Sequence, residues 1–129
     1  MKSLTRVALV VTLMSLSASA TWLVAQNSFG TPKTIIHVSV IKWNAGVSAA
    51  DKQKVLDGVK DMAAKIPGMK NVWIKGIRVQ PEGYTDAFAI EFENQAAADR
   101  YAKDPVHDAW TQELVKLREA TLSPQITNQ

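Results

Sequence analysis

Tyr101 and His107 are the residues of this sequence best suited to chemistry. Between them stands Asp104-Pro105, a capping carboxylate followed by a proline at a first helical position. That pair predicts a corner where one helix stops and another starts. A corner can fold the phenol and the imidazole toward one cavity, which six residues of continuous helix would not do. His107 would then lie in a first helical turn, where the positive end of the helix dipole favours the neutral imidazole. Asp104 and Asp108 act in the opposite sense. A neutral imidazole beside a phenol can remove a proton alpha to a carbonyl and stabilise the resulting enolate. The same two residues also fit a plainer role, as a core tyrosine bonded to backbone and a capping or packing histidine.

The elements that must position this pair follow from periodicity. Thr34 to Trp43 reads as a strand with apolar side chains on both faces, so both faces need cover. His37, Ser39 and Ile41 share the face turned toward the helices; Ile36, Val38 and Val40 share the other. Ser48 caps a helix, with Asp51 three residues on, and Val55, Val59, Met62 and Ile66 form its buried stripe, widened by Leu56 and Ala63. Pro67-Gly68 stops it. A second strand is expected over Asn71 to Val79, irregular at Gly76. The turn Gln80-Pro81-Glu82-Gly83 leads to a third strand, Tyr84 to Glu93, with Phe88, Ile90 and Phe92 on one face. Asn94 caps a short helix to Lys103 with Ala98, Tyr101 and Ala102 on one side. The helix after Pro105 carries Val106, Trp110, Leu114 and Leu117. A last strand over Thr121 to Thr127 is confined by Pro124 to an edge or a frayed end.

This order is that of an α+β, ferredoxin-like antiparallel sheet with helices on one face. One layer of helices cannot cover Ile36, Val38 and Val40, so a homodimer packed through the outer sheet face is expected.

Residues 1–33 read differently. Lys2 and Arg6 precede an apolar stretch from Val7 to Leu16, and Ala18-Ser19-Ala20 offers a signal-peptidase site. Residues 1–20 are therefore read as an export signal, with cleavage as late as residue 25 or retention as a membrane anchor as alternatives. Ser15, Ser17, Ser19 and Thr21 dilute the run and favour cleavage. Residues 21–33 form a linker, and 34–129 the domain. Export would place the domain in the periplasm or outside the cell.

Composition narrows the functions. The net charge of +3 falls to +1 without Lys2 and Arg6, which argues against nucleic acid as a partner. With no cysteine there is no thiolate nucleophile, disulfide or zinc-thiolate site. His37, His107 and Asp86 have no metal-diagnostic spacing, and Trp43, Trp73 and Trp110 read as core residues, not a haem box; no metal and no cofactor is expected. No phosphate loop or nucleophile elbow is present.

The run Ile36-His37-Val38-Ser39-Val40-Ile41-Lys42-Trp43, then Gly46-Val47-Ser48, Lys65-Ile66-Pro67-Gly68-Met69, Gly83-Tyr84-Thr85, Phe88 to Glu93 and Tyr101-Ala102-Lys103-Asp104-Pro105-Val106-His107 resembles the stress-responsive α/β-barrel (Dabb) family from Ile35 to about Leu117. The resemblance implies a dimeric α+β barrel with a pocket in each subunit between sheet and helices, to which His37, Ser39, Ile41, Val55, Leu56, Val59, Asp86 and Phe88 are assigned, with Tyr101 and His107 at its reactive end. A plant polyketide cyclase of the family, which forms olivetolic acid, uses a tyrosine and a histidine at the positions matching Tyr101 and His107, and has a pocket histidine matching His37. It has another histidine where this chain has Asp86, and many members have a histidine in place of Asp104. Pro124 also departs from the family's apolar last strand. Three functions stay open on this reading: an exported module binding a small apolar or carbonyl-bearing compound, a cyclase, lyase or isomerase using His107 as base and Tyr101 as oxyanion donor, or a structural dimer without a ligand.

Overall fold

The computed structural model describes residues 30–129. The expected export signal, and most of the linker, lie outside the described residues. Among the described residues no helix is long and apolar enough to cross a membrane.

The elements run β1 (Ile35–Trp43), α1 (Ala49–Ala63), β2 (Met69–Trp73), β3 (Asp86–Phe92), α2 (Gln95–Tyr101), α3 (Pro105–Leu117), β4 (Arg118–Leu122) and β5 (Gln125–Ile126). The antiparallel sheet has the order β2-β3-β1-β4, with β5 also paired to β1. This is the ferredoxin-like order, and both central strands are the most apolar of the set. The core lies between the sheet and the helices. Ile35, Ile41, Phe88, Ile90 and Phe92 from β1 and β3 meet Val55, Leu56, Val59 and Met62 from α1, all buried.

Each helix starts where its sequence places a cap. The Ser48 hydroxyl accepts from Asp51 N at 3.1 Å, Asn94 Oδ1 from Ala97 N at 2.9 Å, and Asp104 Oδ1 from Val106 N at 2.8 Å. Each cap satisfies an amide that the first helical turn leaves open. Gly68 closes the turn after α1 at φ +91°, and a Cβ there would lie 2.5 Å from Ala97 Cβ. Only glycine lets α1 return to the sheet so close beneath α2.

Three expectations are corrected. β2 ends at Trp73, not Val79: residues 74–85 leave the sheet as a loop in which Ile77 is 98% exposed. Gly76 offers no side chain to hold a ladder and tucks against Val79 and Ala87. On α2 the buried face is Ala97, Ala98 and Tyr101, with Ala102 exposed, because the helix ends at Tyr101. The last strand starts at Arg118, directly from α3, and breaks at Ser123-Pro124 into β4 and β5. Proline donates no ladder bond, but its carbonyl accepts from Val38 N at 3.0 Å, which keeps the broken strand on the edge of β1.

Candidate functional site

The corner between α2 and α3 is built as its residues dictate. Tyr101 ends α2, Asp104 N donates to Tyr101 O at 3.1 Å, and the Asp104 carboxylate then caps α3 with Pro105 at its first position. His107 therefore falls in the first turn of α3. The turn brings the Tyr101 and His107 rings to a centroid distance of 4.1 Å, tilted by 43°. No hydrogen bond joins them: they touch as rings. His37, from the helix-facing side of β1, lies 6.1 Å from Tyr101 and 6.0 Å from Phe88. Phe92 packs on the other side of Tyr101 at 4.9 Å, and Trp110 lies one turn along α3 from His107, at 6.1 Å.

All of these rings except Phe92 line an open cavity of about 220 Å³, together with Ser39, Thr111, Leu114, Arg118, Thr121 and Ser123. Larger clefts of about 460 and 320 Å³ run over α1 and α3 and share the Trp110 indole as a wall. They hold none of the histidines and no tyrosine, so their size does not make them the chemical centre. Trp110 is fixed by its own donor, Nε1 to Val55 O at 2.9 Å, and by close approach to α1 at Gly58.

The polar groups of the cavity fall into two sets. Ser39 Oγ and Ser123 Oγ pair at 2.9 Å, and Thr111 Oγ1 lies 3.2 Å from His107 Nε2. By contrast the Tyr101 hydroxyl, His37 Nδ1 and His107 Nδ1 are buried without a protein hydrogen-bond partner. A buried polar atom left unpaired costs about 1–3 kcal/mol. Of the four such side-chain atoms among the described residues, three belong to residues lining this one cavity; the fourth is Thr34 Oγ1.

Burial also sets the protonation states. It lowers the pKa of His107, an effect that Asp108 and Asp104 partly oppose, and it lowers that of His37, with the charge of His107 acting in the same direction. Both imidazoles are thus held neutral near pH 7. Burial raises the Tyr101 phenol well above its ordinary 10.0, so it is a hydrogen-bond donor and not a proton source. A neutral base and a neutral donor side by side suit a ligand carrying a carbonyl oxygen.

Of the residues expected in the pocket, His37, Ser39, Phe88, Tyr101 and His107 line this cavity. Ile41, Leu56 and Val59 do not: they are buried in the core beneath α1, and Val55 lines the cleft of about 320 Å³ instead. Asp86 is on the helix-facing side too, paired with Ile41, but at the far end of β3, where it accepts from Trp43 Nε1 at 2.7 Å and Thr85 Oγ1 at 2.8 Å. It does not join the two histidines. Trp110, Thr111 and Leu114 join the site as positions three, four and seven after His107 on one helix face, a spacing that the sequence carries. Arg118, Thr121 and Ser123 had no such signal, because their orientation depends on how β4 meets β1.

No curated protein sequence matches the chain. Solved structures do. A dimeric protein of unknown function with a ferredoxin-like fold from Bacteroides fragilis is 22% identical, with 76% of this chain and 99% of that one covered and a TM-score of 0.60. A Dabb family protein from Mesorhizobium loti is 24% identical over 73% of this chain and 95% of that one, at a TM-score of 0.62. A hydroxynitrile lyase from Passiflora edulis reaches 0.66 at 16% identity, covering 74% and 93%. At these identities the likeness is one of fold. Family membership rests on the sequence itself: residues 35–124 match the stress responsive A/B barrel domain, and the chain belongs to that family.

Proposed function

We propose that this chain is exported and binds a small carbonyl-bearing or aromatic compound in the cavity between Tyr101, His107 and His37. The observation that carries the reading is that three residues lining one cavity, Tyr101, His107 and His37, each hold a buried polar atom with no protein partner. Phe88 and Trp110 supply apolar walls for a ring or chain, and the Tyr101 hydroxyl offers a donor to a carbonyl oxygen. At about 220 Å³ the cavity is below the roughly 300 Å³ where drug-sized sites begin, so the occupant is small. A screen of small ketones, aldehydes and hydroxyaromatics against the purified protein, read by ligand-observed NMR, tests it. Binders lost in Tyr101→Phe support the reading; a wild-type protein that binds no compound of these classes removes it.

A second reading, proton transfer, is favoured by the depressed imidazole pKa values. His107 would take a proton from the carbon alpha to the bound carbonyl, the electron pair would move onto the oxygen as an enolate, and the Tyr101 O–H would stabilise it. The Passiflora edulis enzyme gives a precedent for lyase chemistry on this fold. Exchange of the ligand's alpha proton in D2O, present in the wild type and lost in His107→Ala with binding kept, distinguishes an enzyme from a binding module.

The chain is further proposed to act as a homodimer through its outer sheet face. Ile36, Val38 and Val40 lie there on β1, flanked by Trp73, Leu122 and Ile126, which are 51%, 46% and 58% exposed. The register places Leu122 beside Val40 and Ile126 beside Ile36, so the apolar surface is continuous across the strands. Sedimentation should give two chains per particle at micromolar concentration, and Val38→Asp should give one. A wild-type monomer would leave that face unexplained.

A further inference from the structure

Arg118 is the one cationic side chain that lines the cavity, and the way it gets there is unusual. β4 is antiparallel to β1, with Leu122 opposite Val40, Thr121 opposite Ile41 and Ala120 opposite Lys42. Continuing that register would set Glu119 opposite Trp43 and turn Arg118 to the outer face. The register shifts between Lys42 and Trp43, and Arg118 instead takes the place opposite Trp43, on the helix-facing side with Thr121. Glu119 becomes the extra residue of the bulge and goes outward, where its carboxylate meets Lys42 Nζ. A bulge re-aims a side chain at a local loss of ladder bonding. Here it exchanges an acid for a base in the wall of the cavity.

The guanidinium that results is half-buried and donates to Thr121 Oγ1. Among the described residues no carboxylate pairs with it; most other unpaired cations, such as Lys54, Lys65 and Arg78, are exposed, whereas Arg118 is half-buried in a cavity wall. An arginine presents five donors in a planar fork that matches a carboxylate, so one hydroxyl leaves most of its capacity unused. The other lining groups near the strand edge, Ser39 and Ser123, are engaged with each other. They leave Arg118 as the group with charge to offer.

We infer that the ligand is an anion: a small compound carrying a carboxylate for Arg118 as well as the carbonyl or hydroxyaromatic group that Tyr101 receives. This deepens the binding reading given above and rests on it. Arg118 is assigned as a specificity-determining residue, distinct from the Tyr101/His107 pair that would meet the carbonyl. The chemical class is that of 2-oxo and hydroxyaromatic acids of about a dozen non-hydrogen atoms.

The test uses acid and methyl-ester pairs: benzoylformate, phenylpyruvate and 2-hydroxybenzoate, each against its neutral ester, titrated into the purified full chain by calorimetry or NMR. The wild type should prefer at least one acid over its ester by about tenfold or more, as expected for a charge-assisted pair. Arg118→Gln should abolish that preference while leaving ester affinity in place, and Arg118→Lys should keep part of it. Tyr101→Phe should weaken acid and ester alike. Equal binding of acids and esters by the wild type overturns the anion assignment and leaves the carbonyl reading standing; so does a preference that survives Arg118→Gln. If no member of any pair binds, both readings fall. The wild-type comparison decides the matter even where a variant fails to fold.

Discussion

The space between sheet and helices has two halves of opposite character. Beneath α1 it is closed and aliphatic: Ile41, Val59 and Ile90 are fully buried and Met62 is 1% exposed. At the α2–α3 corner it is ringed by His37, Ser39, Tyr101 and His107, and three polar atoms there lack partners. Both halves share strands β1 and β3, so the difference comes from side-chain choice and not from fold. Only the first half behaves as a core should, with apolar groups in contact and no unsatisfied polar atom. The second carries penalties that a purely structural dimer would have no reason to keep. The contrast therefore weighs against the reading in which the chain merely packs.

The largest expected effect tests the sealed half. Ile41→Ala should lower stability by about 2–5 kcal/mol, the usual cost of emptying a fully buried aliphatic site. Any ligand found for the corner cavity should bind with unchanged affinity once folding is accounted for. Chemical denaturation alongside a binding titration checks both. Loss of binding without loss of stability would move Ile41 back into the site and dissolve the contrast.

The wall between the halves is the next target. A Cβ on Gly58 would stand 2.6 Å from Trp110 Cδ1 and 2.8 Å from Nε1, so the indole must move. Alanine is favoured over glycine inside a helix by about 1 kcal/mol, yet overpacking against a rigid ring costs about 1–3. Gly58→Ala should therefore be neutral to destabilising by up to about 2 kcal/mol on balance. It should also shift tryptophan emission and change ligand affinity, because the same indole lines the cavity. A more stable variant with unaltered emission would show that Trp110 yields freely.

Acid should act on the corner alone over a defined window. In the folded chain both imidazoles are held below the ordinary 6.5, chiefly by burial. Above that pH both folded and unfolded chains carry them neutral, and they contribute nothing. As pH falls through 6.5 the unfolded chain takes up protons that the folded chain refuses, so stability drops. Denaturation midpoints should decline from pH 7 to pH 5. The decline should flatten in a His37→Gln, His107→Gln double variant. Hydrogen bonds from Lys60, Asn71 and Lys116 hold the carboxylates of Asp57, Glu91 and Glu113 below their ordinary range, so their titration lies outside this window.

How much of this was visible in the sequence follows the same division. The helix caps at Ser48, Asn94 and Asp104 and the stripe on α1 are local signals, and the fold followed from them. The Tyr101–His107 approach was also local, since Asp104-Pro105 fixes the corner. Placement in the pocket was not local. Ile41, Val55, Leu56 and Val59 face inward, as their periodicity requires, but periodicity cannot tell a sealed interior from a cavity wall. Asp86 shares that inward face and is simply too far along β3. Arg118 was hidden for a sharper reason: alternation along a strand points it outward, and only the bulge against Trp43 turns it in. A one-residue slip in pairing leaves no trace in composition or spacing.

The smallest expected change in stability comes from Tyr101→Phe, and it separates the halves most directly. The ring packs against Phe92 and His107 and would stay; only the hydroxyl is lost. A tyrosine hydroxyl that holds a core together is bonded, and its removal usually costs about 1 kcal/mol. Here the hydroxyl is buried without a protein partner, so removing it relieves a desolvation penalty and creates almost no space. Stability should hold or rise by up to about 1 kcal/mol, while affinity for a carbonyl ligand falls. A residue whose deletion helps the fold and harms the binding belongs to the site, whereas a loss of more than about 1 kcal/mol would return Tyr101 to the core.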